Sequence, residues 1–548
     1  MAQRGSVSER MAKHRSALAC LTLFLAACAG PGGGKGQGAA DGGGEGAGSD
    51  GSVDGGADGG AGDGGAGDGG PGDGGAGDGG AGDGGAADGA ADGAADGGGG
   101  EGGDWVVGDA IEQVWSSKVI DLPGGSTFFE STDAEFIDED HVLVVGQGGW
   151  LITTASGPTI VSDLDERRII RVSEDAGLAA MATRERDLIY LDTTDPTAPR
   201  RLRSVSLPAQ GEDLSVDAGR VLVGCRAEGA LLLDAEGAQI GVIDVADAFA
   251  VSLRGDRALV SDDHALTLWD LTNPAAPVEL DRQPLASPGR DLAWSGEDVA
   301  VGMGGSGVSI WSVAGDRLRH RADLQPAGSI FSVAIDGDDL WLGGWSATSL
   351  IDLRAEPPAL RGAERPAESA MGLDARGGRA LVADWFTLTS LQQRPGEISP
   401  ALFMTGRIDY PSDPALRGPE PVAVRNGGGS PLSLRFSAPS RGYTLSGLDL
   451  VAEGDGGFSL SLAPGEDSLV ELTPPSDAMS ADADLRWTSD DPDRSSGVLR
   501  AERSRTALGA EHPPMRLPGF VWPDASPRVF DIAEERGKPI LLVYFALF

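Results

Sequence analysis

The sequence predicts a mainly β protein whose largest part is a ring of small antiparallel sheets, a β-propeller. Three observations predict it. From Trp105 to about Phe403 the apolar runs are short, rich in Val, Leu, Ile and Trp, and bounded by Gly, Asp and Pro, the texture of strands and turns. One unit recurs there, a Gly- or Asp-bearing turn followed by an apolar strand: Gly219-Arg-Val-Leu-Val223, Asp256-Arg-Ala-Leu-Val260, Glu297-Asp-Val-Ala-Val301, Asp338-Asp-Leu-Trp-Leu342 and Gly378-Arg-Ala-Leu-Val382, with looser copies ending near Val144 and Met181. Successive units lie 37, 42, 37, 41, 41 and 40 residues apart. A period near forty in all-β texture fits a four-stranded blade, because such a sheet covers both apolar faces only when neighbours stack on it. The units give about seven blades.

Composition bounds the rest. The chain has 548 residues, with 84 acidic against 43 basic side chains and a net charge of −41. That excess argues against a nucleic-acid binder, which needs basic surface to neutralise phosphates. The 3 cysteines are too few for a disulfide framework or a four-ligand zinc site. No cofactor, metal ligand set or catalytic residue is expected from the chain as it stands.

The first residues read as an address. Arg4, Arg10, Lys13 and Arg15 precede an apolar run from Ala17 that ends in Leu25-Ala26-Ala27-Cys28. A basic segment before an apolar run too short to span a bilayer is a secretory signal. The ending resembles the lipobox of bacterial lipoproteins. The resemblance implies a signal peptide over 1–27 that the signal peptidase recognises through Leu25, Ala26 and Ala27, with cleavage before Cys28 and acylation of Cys28. Such an anchor makes the membrane a partner and places the protein in the cell envelope. By analogy with lipoprotein sorting, Ala29 rather than Asp after the cysteine favours the outer membrane. Cys20 reads as apolar filler.

Residues 28–104 read as the lipidated cysteine followed by a disordered tether. Positions 31–104 hold 38 Gly, 13 Asp, 2 Glu and 1 Lys, much of it repeating Ala-Gly-Asp-Gly-Gly. Almost nothing apolar is present to offset the entropy of ordering. A calcium-binding repeat needs a nine-residue period with an inward apolar position, and both are missing.

The propeller is expected over 105–403. Leu188-Ile-Tyr-Leu-Asp192 runs into Asp195-Pro-Thr-Ala-Pro199, and Leu266-Thr-Leu-Trp-Asp270 into Asn273-Pro-Ala-Ala-Pro277. Asp or Asn before Pro starts a turn. These blocks resemble the LVIVP repeat, with degenerate copies at Val308-Ser-Ile-Trp311 and Ser349-Leu-Ile-Asp-Leu353. The resemblance implies a propeller of extracytoplasmic or surface proteins and no particular reaction. The acidic turns Asp138-Glu-Asp140, Asp262-Asp263 and Asp336-Gly-Asp-Asp339 read as solvated turns rather than metal ligands. His141 and His264 read as local structure, since no nucleophile elbow accompanies them. Trp269, Trp294, Trp311, Trp341, Trp345 and Trp385 are expected on strands, most of them between blades, and Cys225 as a buried free thiol.

Residues 404–505 alternate apolar and polar as a second β domain. Asn426-Gly-Gly-Gly-Ser-Pro431-Leu, Leu462-Ala-Pro-Gly465-Glu and Ser489-Asp490-Asp491-Pro492 resemble the immunoglobulin-like modules of the ASPM/SPD-2/Hydin type, which implies a spacer sandwich with Asp490 and Asp491 as turn residues. Over 511–548, Leu517-Pro518-Gly-Phe520 followed by Gly537-Lys538-Pro539-Ile-Leu-Leu-Val-Tyr-Phe545-Ala546 resembles the opening of a thioredoxin-like α/β domain (a redoxin). In that family the redox cysteines follow this strand. The expectation is an incomplete redoxin segment, to which no thiol chemistry carries over; a strand packed on the sandwich is the alternative.

The functional expectation is a lipid-anchored binding or scaffold protein of the envelope, without catalysis in this chain, holding an envelope protein or ligand on the propeller. The alternative is a thiol-disulfide oxidoreductase or peroxiredoxin-like protein whose catalytic cysteine region is missing here. A third reading makes the propeller an enzyme of lactonase or quinoprotein type, with charged side chains converging at its channel mouth. The anchor is directly testable: Cys28→Ser moves the protein from the membrane pellet to the soluble fraction, and retention that only detergent releases contradicts it.

Overall fold

A computed structural model of the chain describes residues 105–118, 130–154, 157–365, 369–410, 417–475, 483–503, 516–521 and 526–531. Cys28 with Leu25, Ala26 and Ala27, the segment 28–104 and the apolar stretch 539–548 lie outside them. The regular structure of the described residues is strand throughout.

Each recurring apolar run becomes the second strand of a sheet: His141–Thr154, Leu178–Thr183, Arg220–Gly224, Arg257–Ser261, Asp298–Gly302, Asp339–Gly344 and Arg379–Asp384. Before each lies an inner strand: Glu130–Phe136, the second half of Gly157–Asp175, Asp213–Asp217, Ala250–Arg254, Asp291–Ser295, Ile330–Asp336 and Gly372–Arg376. We number the sheets 1 to 7 in this order. Sheets 1 and 2 share Gly157–Asp175, whose two halves pair with His141–Thr154 and Leu178–Thr183, so they run on as one six-stranded ladder. Sheets 3 to 7 have four strands each.

The second strands are uninterrupted apolar runs because both of their faces are covered. Val221 and Val223 join a core with Ala180, Leu188 and Tyr190 of sheet 2, while Leu222 between them joins Val251 and Val260 of sheet 4. Outer strands such as Arg200–Ser206 face water and alternate. The stacking continues from sheet to sheet and returns to its start. Ala134, Phe136, Val142 and Val144 of sheet 1 pack on Leu381, Ala383 and Leu388 of sheet 7. Among the described residues no sheet closes on itself through hydrogen bonds. The sheets stack in the manner of a β-propeller, and the strand Ile111–Lys118 completes sheet 7 by pairing with Thr387–Gln393.

Side chains on the inner strands tie each sheet to the next. Asp133 Oδ2 accepts the Val172 N–H (3.0 Å), Ser173 Oγ the Val216 N–H (3.1 Å), Asp213 Oδ2 the Val251 N–H (2.8 Å) and Asp291 Oδ2 the Val333 N–H (2.8 Å). Asp336 Oδ2 accepts from Gly378 (2.6 Å), and Asp374 Oδ2 takes the Phe136 N–H (2.9 Å), linking sheet 7 to sheet 1. Sheets 4 and 5 are joined instead through the Arg254 guanidinium on the Gly296 carbonyl and the Gly289 N–H on Ser261 Oγ (3.1 Å).

A second module follows. Leu402–Met404, Glu420–Asn426, Asp467–Thr473 and Thr444–Ser446 form one sheet; Arg407–Tyr410, Ser496–Arg503, Ala483–Ser489, Leu432–Phe436, Phe458–Leu462 and Val451–Ala452 form the other. Their alternating inward residues share one core that includes Tyr410, Val424, Phe436, Leu472 and Trp487. Asn426 is fully buried: its Oδ1 accepts from Gly428 (3.0 Å) and its Nδ2 donates to Ser430 (2.8 Å) and Leu462 (3.1 Å) carbonyls. The glycines after it let the turn approach sheet 6, since a Cβ on Gly429 would lie 2.2 Å from the Leu360 carbonyl oxygen. Asp491 does more than turn the chain. Its buried carboxylate accepts the Leu402 N–H (2.7 Å) and pairs with Arg365 (3.4 Å), which follows the outer strand Ala359–Glu364 of sheet 6. Arg516–Val521 and Ser526–Asp531 pair as an antiparallel hairpin.

Gly372 tests the tie between sheets 7 and 1. An added Cβ would meet Asp133 Oδ1 at 2.1 Å and its Cα at 2.6 Å. Gly372→Ala is expected to destabilise by about 2 kcal/mol in a denaturant titration. Gly406→Ala, which meets nothing within 4 Å, is the neutral control.

Candidate functional site

In an up-and-down antiparallel sheet, the loop before the first strand and the loop between the second and third leave by the same end. In this ring those loops gather around one mouth of the channel between the inner strands. Backbone bonds fix the rim. Arg226 and Ala248 exchange two (3.1 and 3.0 Å) between sheets 3 and 4, and Gly304 and Ile330 exchange two (both 3.0 Å) between sheets 5 and 6. Ala370 donates to the Gly344 carbonyl (3.2 Å), and Ser131 to that of Trp385 (2.5 Å).

Inside the channel, Arg171 of sheet 2 reaches toward sheets 7 and 3. Its Nη1 lies 3.5 Å from the Met371 carbonyl of sheet 7, and its Nε 4.0 Å from Asp213 Oδ1 of sheet 3. The charges of Asp133, Asp291, Asp213 and Glu212 hold the guanidinium protonated against the desolvation it suffers. These carboxyls outnumber it. Burial pushes Asp133 up to about 7 and Asp374 up to about 6. Burial first, then neighbouring carboxylates, also raises Asp213 and Glu135, and burial raises Asp291.

Charged groups therefore converge in the channel, as the enzyme reading of the propeller requires. Asp133, Asp213 and Asp291, however, each give an oxygen to the backbone of the next sheet. The Arg171 guanidinium lies among their charges. The cluster braces the ring, and among the described residues no group of three or more His, Cys, Asp or Glu is arranged to hold a metal ion. None of these residues was singled out by the sequence reading. Their signal was present: Asp133, Asp213 and Asp291 stand 80 and 78 residues apart, close to two repeats.

The rim has two walls. On sheets 3 to 5 the Arg226 guanidinium lies 3.8 Å from the Phe249 ring centre, with Arg290 at 5.3 Å. Arg226 also pairs with Glu212 (2.9 Å) and Asp247 (3.7 Å). Burial, and the charges of Asp263, Glu212 and Asp262, raise the Asp247 carboxyl. On sheets 6 and 7 the rim is aromatic. Phe331 and Trp345 lie 6.0 Å apart between ring centres, and Trp385 stacks on Phe386 at 6.0 Å. Trp345 is 56% exposed and Phe386 36%.

This corrects the expectation for two tryptophans. Trp345 and Trp385 leave the strands for rim loops, and Trp385 holds a left-handed backbone with φ of 43°. Trp269, Trp311 and Trp341 are buried in the cores between sheets. His141 binds Asp138 (2.8 Å) within its own turn, and the His264 N–H donates to Asp262 (2.8 Å). Cys225 is buried and its thiol is pushed up to about 12 by that burial, so it stays protonated.

No family model matches the chain, and no curated protein matches it. Among solved structures it is similar to the Cps50 (Swd1) β-propeller domain of Myceliophteria thermophila, at 13% identity and a TM-score of 0.44 over 52% of this chain and 100% of that one. It is also similar to the WD40 β-propeller domain of Doa1 (12%, 0.43, 52% and 98%) and to the computationally designed Ika8 protein (12%, 0.40, 48% and 83%).

The raised channel carboxyls set a pH response. Their pKa values in the fold lie above the ordinary carboxylate value, so folding favours their protonated forms. That stability is full below about pH 4 and is lost as pH rises through the values of about 6 for Asp374 and about 7 for Asp133. The melting temperature is expected to fall between about pH 4 and 7, and Asp133→Asn to flatten the fall. A melting temperature that rises over this range contradicts the assignment.

Proposed function

We propose that this chain is a lipid-anchored binding or scaffold protein of the cell envelope. In this reading acylated Cys28 holds it on the outer membrane and residues 28–104 act as a tether. A seven-bladed propeller over 105–403 is its interaction platform, and an immunoglobulin-like sandwich over 404–505 stands beside it. The observation that carries the binding function is the aromatic wall of the channel mouth, with Trp345 and Phe386 in water beside Phe331 and Trp385. Large rings grouped on a rim, rather than scattered over a surface, mark a docking site. The blade number is supported by the apolar cores between successive sheets, the last of which joins sheet 7 to sheet 1. The anchor rests on Leu25-Ala26-Ala27-Cys28.

The test is site-specific photo-crosslinking in intact cells of the source organism. A benzophenone side chain at position 345 or 386 is expected to give a discrete adduct, identifiable by mass spectrometry. The same group in place of Leu202, which is exposed on the outer strand of sheet 2, is expected to give none. Equal adducts at all three positions, or adducts at 202 alone, contradict a platform at the mouth.

A further inference from the structure

Several aromatic side chains outside the rim share one contact, a guanidinium over the ring. Among the described residues, Arg203 lies over Tyr190, Arg254 over Trp294, Arg361 over Trp105, Arg365 over Phe403 and Arg494 over Trp487, at 4.3 to 5.9 Å from the ring centres. The first wall of the mouth shares it, with two guanidinium groups on Phe249. Phe331, Trp345, Trp385 and Phe386 carry no such cation among the described residues, although Trp345 and Phe386 present ring area to water. The ring faces carry negative potential and attract a cation best where water is excluded.

The charge around the mouth has the same preference. Glu212, Asp247, Asp262 and Asp263 stand against Arg226, Arg282 and Arg290, two of which are already engaged by Glu212 and Asp262. The whole chain carries −41. An acidic ligand would be repelled here, and a neutral apolar one would leave the excess charge unanswered. We infer that the mouth takes an extended segment of a partner protein bearing Arg or Lys, whose cationic side chain lies on the Trp345 and Trp385–Phe386 rings. This deepens the platform reading and rests on it.

The experiment uses the full chain. A random dodecapeptide library displayed on phage is selected on the protein, and recovered peptides are resynthesised and measured by fluorescence anisotropy. They are measured on the protein and on a Trp345→Ala, Phe386→Ala double variant whose melting temperature is checked to be unchanged. The expected result is enrichment of Arg or Lys beside an apolar residue. Affinity should fall at least tenfold on the double variant and comparably when the peptide's Arg or Lys becomes Gln, and it should weaken as salt rises from about 0.05 to 0.3 M. Peptides without basic residues that still lose affinity on the double variant overturn the cationic preference and leave the platform standing. Peptides that bind the double variant equally, or a library that yields no binder, overturn both. Recovered sequences that match a segment of this chain overturn the separate partner.

Discussion

A four-stranded sheet with two apolar faces cannot remain alone in water, and this constraint organises most of the molecule. Val221 and Val223 belong to one core and Leu222 to the next, so each sheet is stable only between two others. The arrangement ends only where the last sheet meets the first, through Leu381, Ala383 and Leu388 against Ala134 and Phe136. The strand Ile111–Lys118 adds backbone hydrogen bonds to that contact. Apolar stacking is non-directional and does not set the register of one sheet on its neighbour. Polar side chains do, chiefly carboxylates and a hydroxyl of the inner strands that each accept one particular N–H of the next sheet, and between sheets 4 and 5 the Arg254 guanidinium and Ser261 hydroxyl.

These ties give the channel its electrostatic character. A side chain that binds a neighbour's backbone at the axis is necessarily buried, and several carboxyls are drawn together there. Arg171 offsets part of their repulsion and protonation offsets more. Acidic groups in a propeller channel invite a catalytic interpretation, but here their oxygens are engaged in holding the sheets together. Above them lies the rim, where loops carry the exposed rings of Trp345 and Phe386.

The second module is joined to the ring by polar as well as apolar contacts. Buried Asp491 engages both the Leu402 backbone and Arg365, and the Arg365 guanidinium lies 4.5 Å from the Phe403 ring centre. Ala327, Ala347 and Ala363 of the ring meet Ala401 and Phe403 in a small shared core. Small residues allow the close approach, as do the glycines after Asn426.

The mainly β character, the positions of the second strands and the period of about forty residues are written in the order of the amino acids. The reason is that doubly covered strands must be continuous apolar runs, and a one-dimensional pattern records that directly. The alternation of the second module was legible for the same reason. Asn273 and Asp195 were legible as turn residues, since their bonds are local: the Ala276 and Ala198 N–H groups donate back to their carbonyls. The channel was not legible. Asp133, Asp213, Asp291 and Arg171 meet only because the ring brings together residues some 80 positions apart, and each alone resembles any polar strand residue. The aromatic wall was hidden similarly. Trp341 and Trp345 stand four positions apart in one apolar run, yet the strand ends between them. Trp341 packs between sheets 6 and 7 while Trp345 faces solvent, because burial is decided by which surface a neighbouring sheet covers, and only the closed stack fixes that.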